Sequence, residues 1–269
     1  MKIFVCIKQV PGVSEVRIDP KTNTLIREGV PSIVNPHDKH AVELGLSIKE
    51  NFGGEVIALS MGPPQAEEAL REALSMGVDE AYLLTDRAFA GADTLATSHT
   101  LALGIKKLLL QSKKDEQYLV ICGTQAIDGD TAQVGPELAE ELDIPQITYV
   151  LNFQLKDQNT VAVERAFRTE EVVVIESKLP VLISVLKEIN VPRNPSVKGI
   201  VDAYEKKKVI YWNAEDLKAE KDEIGLNGSM TEVWKIFIPE RKGEHIILEG
   251  SIEEMVEDLC NNLKDDKVI

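Results

Sequence analysis

The segment Cys122-Gly-Thr-Gln-Ala-Ile-Asp-Gly-Asp-Thr-Ala-Gln-Val-Gly-Pro136 carries the spacing in this chain most suggestive of chemistry. Glycines stand at 123, 129 and 135, with the carboxylates of Asp128 and Asp130 between them. The segment follows an apolar strand pattern, Tyr118 to Ile121, and leads into a helix-like run, Glu137 to Leu142. A strand that ends in a glycine-bearing polar loop and then a helix can hold a phosphate. Free backbone N–H groups and the positive end of the helix converge on the anion. The spacing is neither G-x-G-x-x-G nor G-x-x-x-x-G-K-S/T, so it specifies neither of the usual nucleotide loops. Asp128 and Asp130 would repel a phosphate at close range and suit ribose hydroxyls or capping instead. An ordinary strand-to-helix turn stays open as the alternative.

Other chemistry is sparse. Cys6, Cys122 and Cys260 are odd in number, far apart and form no C-x-x-C pair, which suits a reducing cytoplasm and disfavours an iron–sulfur cluster or structural zinc. His37 and His40 could share a helix face, but no third ligand accompanies them, so no metal site is expected. A net charge of −15 argues against nucleic acid as a partner, because phosphate neutralisation needs a basic field. No apolar run reaches the roughly 18 residues that a membrane span requires, and the opening residues show no secretory signal pattern. A cytoplasmic protein without membrane insertion is expected. No nucleophile triad or paired carboxylate site is visible.

The elements that must position the loop alternate along the first half. Strand patterns cover Lys2 to Ile7, Glu55 to Ser60, Ala81 to Leu84 and Tyr118 to Ile121. Helical patterns cover Asp38 to Phe52, Gln65 to Met76 and Thr94 to Leu110, and Val16 to Ile26 reads as a hairpin around Asp19-Pro-Lys-Thr-Asn23. Single helices between strands imply a mostly parallel sheet covered on both faces, with a ligand beyond the carboxyl ends of the strands. Asn35 or Asp38, and Asp93 or Thr94, stand where helices begin and could cap them. Thr94 and Thr97 could face one edge of their helix. Singly these residues read as structural caps; together they outline a polar rim wide enough for a nucleotide.

After Leu142 the pattern turns β-rich without helices, at Ile147 to Leu155, Thr160 to Phe167, Glu171 to Glu176 and Val181 to Leu186. These runs are expected to extend the sheet with antiparallel strands. The predicted fold class is therefore α/β: a mostly parallel nucleotide-binding sheet with helices on both faces, an antiparallel extension and an extended C-terminal arm. Residues 1–190 would form the nucleotide-binding domain, 191–210 a loop and helix, and 211–269 the arm. That arm, ending in an amphipathic helix from Ser251 to Leu263, would pack on another subunit or fold back on its own domain.

The ordered segments Val5-Cys-Ile-Lys-Gln-Val-Pro11, Val34-Asn-Pro-His-Asp38, Ala58-Leu-Ser-Met-Gly-Pro63, the Gly123 loop, Leu179-Pro180 and Asn190-Val-Pro-Arg193 resemble the β subunit of electron-transfer flavoprotein over nearly the whole chain. The resemblance implies a heterodimer with a homologous α subunit that carries its own FAD, and an adenine nucleotide in the β subunit. The implied contacts are Cys6 near the adenine; Asn35, Pro36, His37 and Asp38; Met61; and the loop Gly123, Thr124, Gln125, Ala126, Ile127, Asp128, Gly129, Asp130, Thr131, Ala132, Gln133 and Val134. Family members hold either a structural AMP or a second FAD used in electron bifurcation. Asp93, Thr94 and Thr97 look like the bifurcating group, where threonines contact the longer flavin nucleotide, and Gly129 and Gly135 would leave room for a diphosphate. Thr124 departs from the family, where lysine is common. The resemblance further implies NADH as electron donor, ferredoxin as one acceptor, and a flavin-dependent dehydrogenase docked on the loop 190–201. Val191, Pro192, Arg193 and Val197 would meet that dehydrogenase, with Val197 as the apolar plug.

Overall fold

The fold is that of a computed structural model, which describes residues 1–12, 17–18, 25–26, 32–113, 116–168, 171–234 and 247–268. In chain order the strands and helices are β1 (Lys2–Cys6), β2 (Gln9–Pro11), β3 (Arg17–Ile18), β4 (Leu25–Ile26), β5 (Ser32–Val34), α1 (Pro36–Phe52), β6 (Glu55–Met61), α2 (Glu67–Met76), β7 (Glu80–Leu84), α3 (Thr94–Leu110), β8 (Tyr118–Gly123), α4 (Val134–Glu141), β9 (Gln146–Leu155), β10 (Thr160–Arg168), β11 (Glu171–Lys178), β12 (Val181–Val185), α5 (Val197–Glu205), β13 (Val209–Trp212), α6 (Ala214–Leu217) and α7 (Ile252–Asp265). They fall into two compact units, Met1–Trp234 and Lys235–Ile269. Among the described residues no helix is long and apolar enough to cross a membrane.

One sheet of nine strands, in the order β11-β10-β9-β12-β8-β1-β6-β7-β13, organises the first unit. From β9 to β13 every neighbouring pair is parallel; β10 and β11 join antiparallel at one edge. The α/β class with an antiparallel extension is thus as expected from sequence. Two of its details differ. β12 is not antiparallel: it inserts between β8 and β9 and runs parallel to both. All five of its residues are buried, so its side chains carry no alternation from which sequence could read its placing. The other detail is β13, which pairs with β7 and closes the far edge. Trp212, Leu217 and Ile224 are buried behind it, so residues 211–224, read as the start of an arm, contribute to the main core.

The central strands are buried on both faces, which is why they read as unbroken apolar runs. Side chains of β1 alternate between two clusters, Ile3 and Val5 on one face and Phe4 and Cys6 on the other. α1, α2 and α5 cover the first face; α3, α4 and α6 cover the second. Each fully buried aliphatic or aromatic side chain contributes about 1.5–3 kcal/mol, so these strands fix the frame on which the loops hang.

Helix ends follow local chemistry. α1 begins at Pro36, where the missing N–H is no loss, two residues before the apolar periodicity suggests. It stops at Gly53, which takes φ of 79°. α3 spans the expected residues and is capped by Asp93, whose carboxylate accepts from the Ala96 N–H at 3.0 Å. The hairpin expected over 16–26 is present as the antiparallel pair β3–β4; its turn residues 19–23 lie outside the described residues.

Candidate functional site

Strand order reverses at β1. β6, β7 and β13 follow on one side, while β8, β12 and β9 follow on the other. The crevice beyond the carboxyl ends of β1 and β8 is therefore the topological switch point, where open α/β sheets bind ligands. Cys6 pairs in register with Cys122 there, and both cysteines are buried with free thiols.

Gly123, at the end of β8, lets the first turn of α1 approach. A Cβ on it would stand 2.3 Å from Asp38 Oδ1 and 2.7 Å from the His37 carbonyl carbon, so no other residue fits without displacing α1. Asp38 uses the proximity. Its carboxylate accepts from the Lys8 N–H at 2.7 Å, with the N–H of Gly123 and the amide of Asn35 near enough to favour its charged form. Complete burial pushes its pKa up to about 7, against the opposing pull of those donors.

Asn35 occupies the cap position of α1 but does not cap it. Its amide instead bridges the loop after β8, donating to Gln125 O at 2.9 Å and accepting from the Ile127 N–H at 3.2 Å. An amide with one donor and one acceptor imitates a strand edge here, which corrects the expected capping role. The loop is further held by Lys8 Nζ on Asp128 Oδ1 at 2.7 Å, by the Asp130 N–H on Ala126 O at 2.8 Å, and by Gln125 donating to Asp130.

Backbone freedom in this loop is used where sequence does not advertise it. Asp130 and Ala132 take φ of 53° and 56°, a conformation that strains L-residues and that tends to mark functional loops. Gly129 faces open space, and Gly135 lies inside α4, packed toward Leu182, Cys122 and Ser184. The N–H groups of Thr131, Ala132 and Gln133, just before α4, have no acceptor among the described residues. Thr124 is buried, and both its N–H and its hydroxyl donate to Val185 O; its side chain serves the β8–β12 junction.

A second polar group adjoins the loop where α3 and α4 begin. The Thr94 hydroxyl lies 3.1 Å from Glu137 Oε1 and 3.3 Å from Gln133 Oε1. Ser98 Oγ lies 3.2 Å from Glu137 Oε2. Asp93 also accepts from the N–H and hydroxyl of Thr231, at 2.9 and 3.0 Å, so its carboxylate is occupied by structure. Thr97 is half-buried one turn into α3, and half-buried Met61 packs on the cluster that contains Cys6.

The crevice thus gathers Cys6, Asn35, His37, Asp38 and the loop, with Thr94 tied to Gln133 at its α4 end. The Nδ1 atom of His37 is buried without a hydrogen-bond partner among the described residues, and burial lowers that imidazole's pKa. Unspent N–H groups, a glycine cradle and an orphaned ring nitrogen suit an adenine nucleotide. Sequence reasoning missed two side chains here, Lys8 and Glu137. Lys8 was visible as the residue after a strand end; Glu137 resembled any acidic residue in a helix's first turn. A separate shallow cavity of about 320 Å³ lies between α2 and α5, on the face that α1 also covers, where Arg71 is spent on the Ala203 and Lys207 carbonyls.

The loop 190–197 is fastened to α1. Arg193 donates to Glu43 from Nε and Nη2 at 2.8 and 2.9 Å and to Glu50 from Nη1 at 2.5 Å. Asn190 donates to the His40 carbonyl at 3.0 Å. Val191 and Val197 are left 89% and 81% exposed. The guanidinium of Arg193 is therefore committed within the chain.

Fold and rim together define a doubly wound α/β domain with its ligand crevice at a switch in strand order. The family described as electron transfer flavoprotein domain matches residues 22–217. The chain is 55% identical over 272 residues to the electron transfer flavoprotein subunit beta of Thermoanaerobacterium thermosaccharolyticum, covering 100% of each. It is 52% identical over 269 residues to the same subunit of Clostridium acetobutylicum. It is 52% identical over 271 residues to the caffeyl-CoA reductase-Etf complex subunit CarD of Acetobacterium woodii. Each of these two matches likewise covers 100% of both chains. The chain belongs to the electron transfer flavoprotein family, as a β subunit.

Proposed function

We propose that this β subunit pairs with an α subunit bearing its own FAD and holds a second FAD in the switch-point crevice. The pair would bifurcate electrons from NADH, one to ferredoxin and one through the α-subunit FAD to a flavin-dependent dehydrogenase, in the cytoplasm. A bound flavin supplies the redox chemistry. The chain's residues bind and orient it. Gly123 and the first turn of α1 shape the adenine end beside Cys6 and His37. The unspent N–H groups of 131–133 and the positive end of α4 receive a diphosphate, and Lys8 adds a cation at its edge.

The observation that carries the FAD reading is the extent of the rim. It continues past the loop to Thr94 at the start of α3, which hydrogen-bonds Gln133 and Glu137. A dehydrogenase partner is supported by the Acetobacterium woodii relative, whose name places it in a reductase–Etf complex, and by Val191 and Val197, held outward by the Arg193 clamp. Exposed Ile252, Val256 and Leu259 on α7 form a stripe suited to the companion subunit. The test is the cofactor content of the purified αβ pair after denaturation. Two FAD per heterodimer are expected; one FAD with one AMP would overturn the bifurcating reading in favour of a structural nucleotide.

A further inference from the structure

The carboxyl ends of three neighbouring strands bring sulfur together on one face of the sheet. Cys122 on β8 pairs in register with Cys6 on β1, and β6, which carries Met61, flanks β1 on its other side. Cys6 and Cys122 lie in the same buried cluster, with Met61 packed against it. Both thiols are free and buried. In-register neighbours in a sheet hold their side chains side by side, about 4.8 Å apart. That is wider than the roughly 3.8 Å between β-carbons that a disulfide needs, so the spacing favours two separate thiols. It matches instead two metal–sulfur bonds of about 2.3 Å set end to end, a span of roughly 4.6 Å.

We propose that Cys6 and Cys122 form a two-coordinate site for a soft monovalent cation of the copper(I) class, which competes with the nucleotide for the crevice. Thiolate and thioether donors select copper(I) over harder ions, and Met61 places a thioether against the same cluster. Zinc is a poor match. It asks for four ligands in a structural site, and among the described residues no three His, Cys, Asp or Glu side chains group to hold a metal. The neighbouring Cys6, and then burial, hold the Cys122 thiol well above its ordinary range. One cation therefore displaces two protons and leaves a dithiolate complex with a single negative charge. That complex would stand where the adenine end of the nucleotide is proposed to lie. Metal binding rests on the two thiols alone; the competition rests on the proposed reading of the crevice.

The test uses the full αβ complex with Cys260→Ser, stripped of nucleotide and kept reduced and free of oxygen. Copper(I), supplied as its acetonitrile complex, is titrated against a chelator of known affinity. The complex should retain one copper(I) more than the same complex carrying Cys122→Ser or Cys6→Ser, and zinc(II) should show no such difference. The bound copper should abolish FAD and AMP binding at the β site until the chelator removes it. Equal copper with and without the cysteine pair would overturn the inference. Circular dichroism checks that the variants fold, and Cys122→Ala replaces a serine variant that does not. Copper held by the pair with nucleotide binding unchanged would overturn the competition. It would move the proposed adenine end away from Cys6 and leave the metal site standing, so the two failures are distinguishable.

Discussion

Lys8 and Asp128 meet at 2.7 Å across the mouth of the crevice, joining the end of β1 to the loop after β8. They are 120 positions apart in sequence. The pair is partly exposed, and such bridges contribute only about 0–1 kcal/mol to stability. Its weakness is useful, because an arriving phosphate can compete for the ammonium. Lys8→Gln should leave urea unfolding within about 1 kcal/mol of wild type and weaken nucleotide binding severalfold, most clearly at low salt where screening is least. Equal affinity at low salt would remove Lys8 from the site.

Gly123 and Gly129 should respond differently to a side chain. Gly123→Ala forces a carbon against Asp38 and His37 and should destabilise the protein by about 1–3 kcal/mol or more, measured by denaturant unfolding. Gly129→Val meets open space; its stability should change by less than about 1 kcal/mol while the β-site nucleotide is lost. Retained nucleotide in the valine variant would count against the loop as the binding element.

Asp38 predicts a pH signature in the nucleotide-free chain. Its folded pKa is raised from an ordinary 3.8 to about 7, so the folded state binds the proton more tightly than the unfolded state. The resulting stabilisation is full below about pH 4 and is lost as pH rises through 7. Denaturation midpoints measured across that window should fall with rising pH, and Asp38→Asn should flatten the slope.

The Arg193 clamp predicts a separation of roles. Lysine cannot reproduce the forked contact with Glu43 and Glu50, so Arg193→Lys should loosen the loop, raise its protease sensitivity and weaken dehydrogenase docking, with flavin content unchanged. Val197→Asp should weaken docking with the loop still protected. Loss of flavin in either variant would contradict the separation.

Much of the frame was legible because it follows local rules. The span of α3 came from periodicity, Asp93 was one of two residues that could cap it, and the strand ends located the crevice. What stayed hidden depends on partners distant in sequence. Asn35 looks like a cap until Gln125 and Ile127 arrive from 90 positions away. Thr124 gives no sign in sequence that its hydroxyl donates to Val185 O, 61 positions away. β12 is apolar throughout, so periodicity cannot tell an inserted parallel strand from an antiparallel edge. The strain at Ala132 has no signature at all, because alanine is rarely placed where φ is positive.

α1 touches both ends of the proposed machinery. Its first turn is wedged under Gly123, and its flank grips Arg193 through Glu43 and Glu50. A 17-residue helix is a stiff rod of about 25 Å. A tilt that opens its seat beneath β8 must also swing the tether of the exposed valines. Vacating the crevice and re-aiming the loop are thus two readings of one lever, and a reporter fixed to residue 191 would register what happens at residue 38.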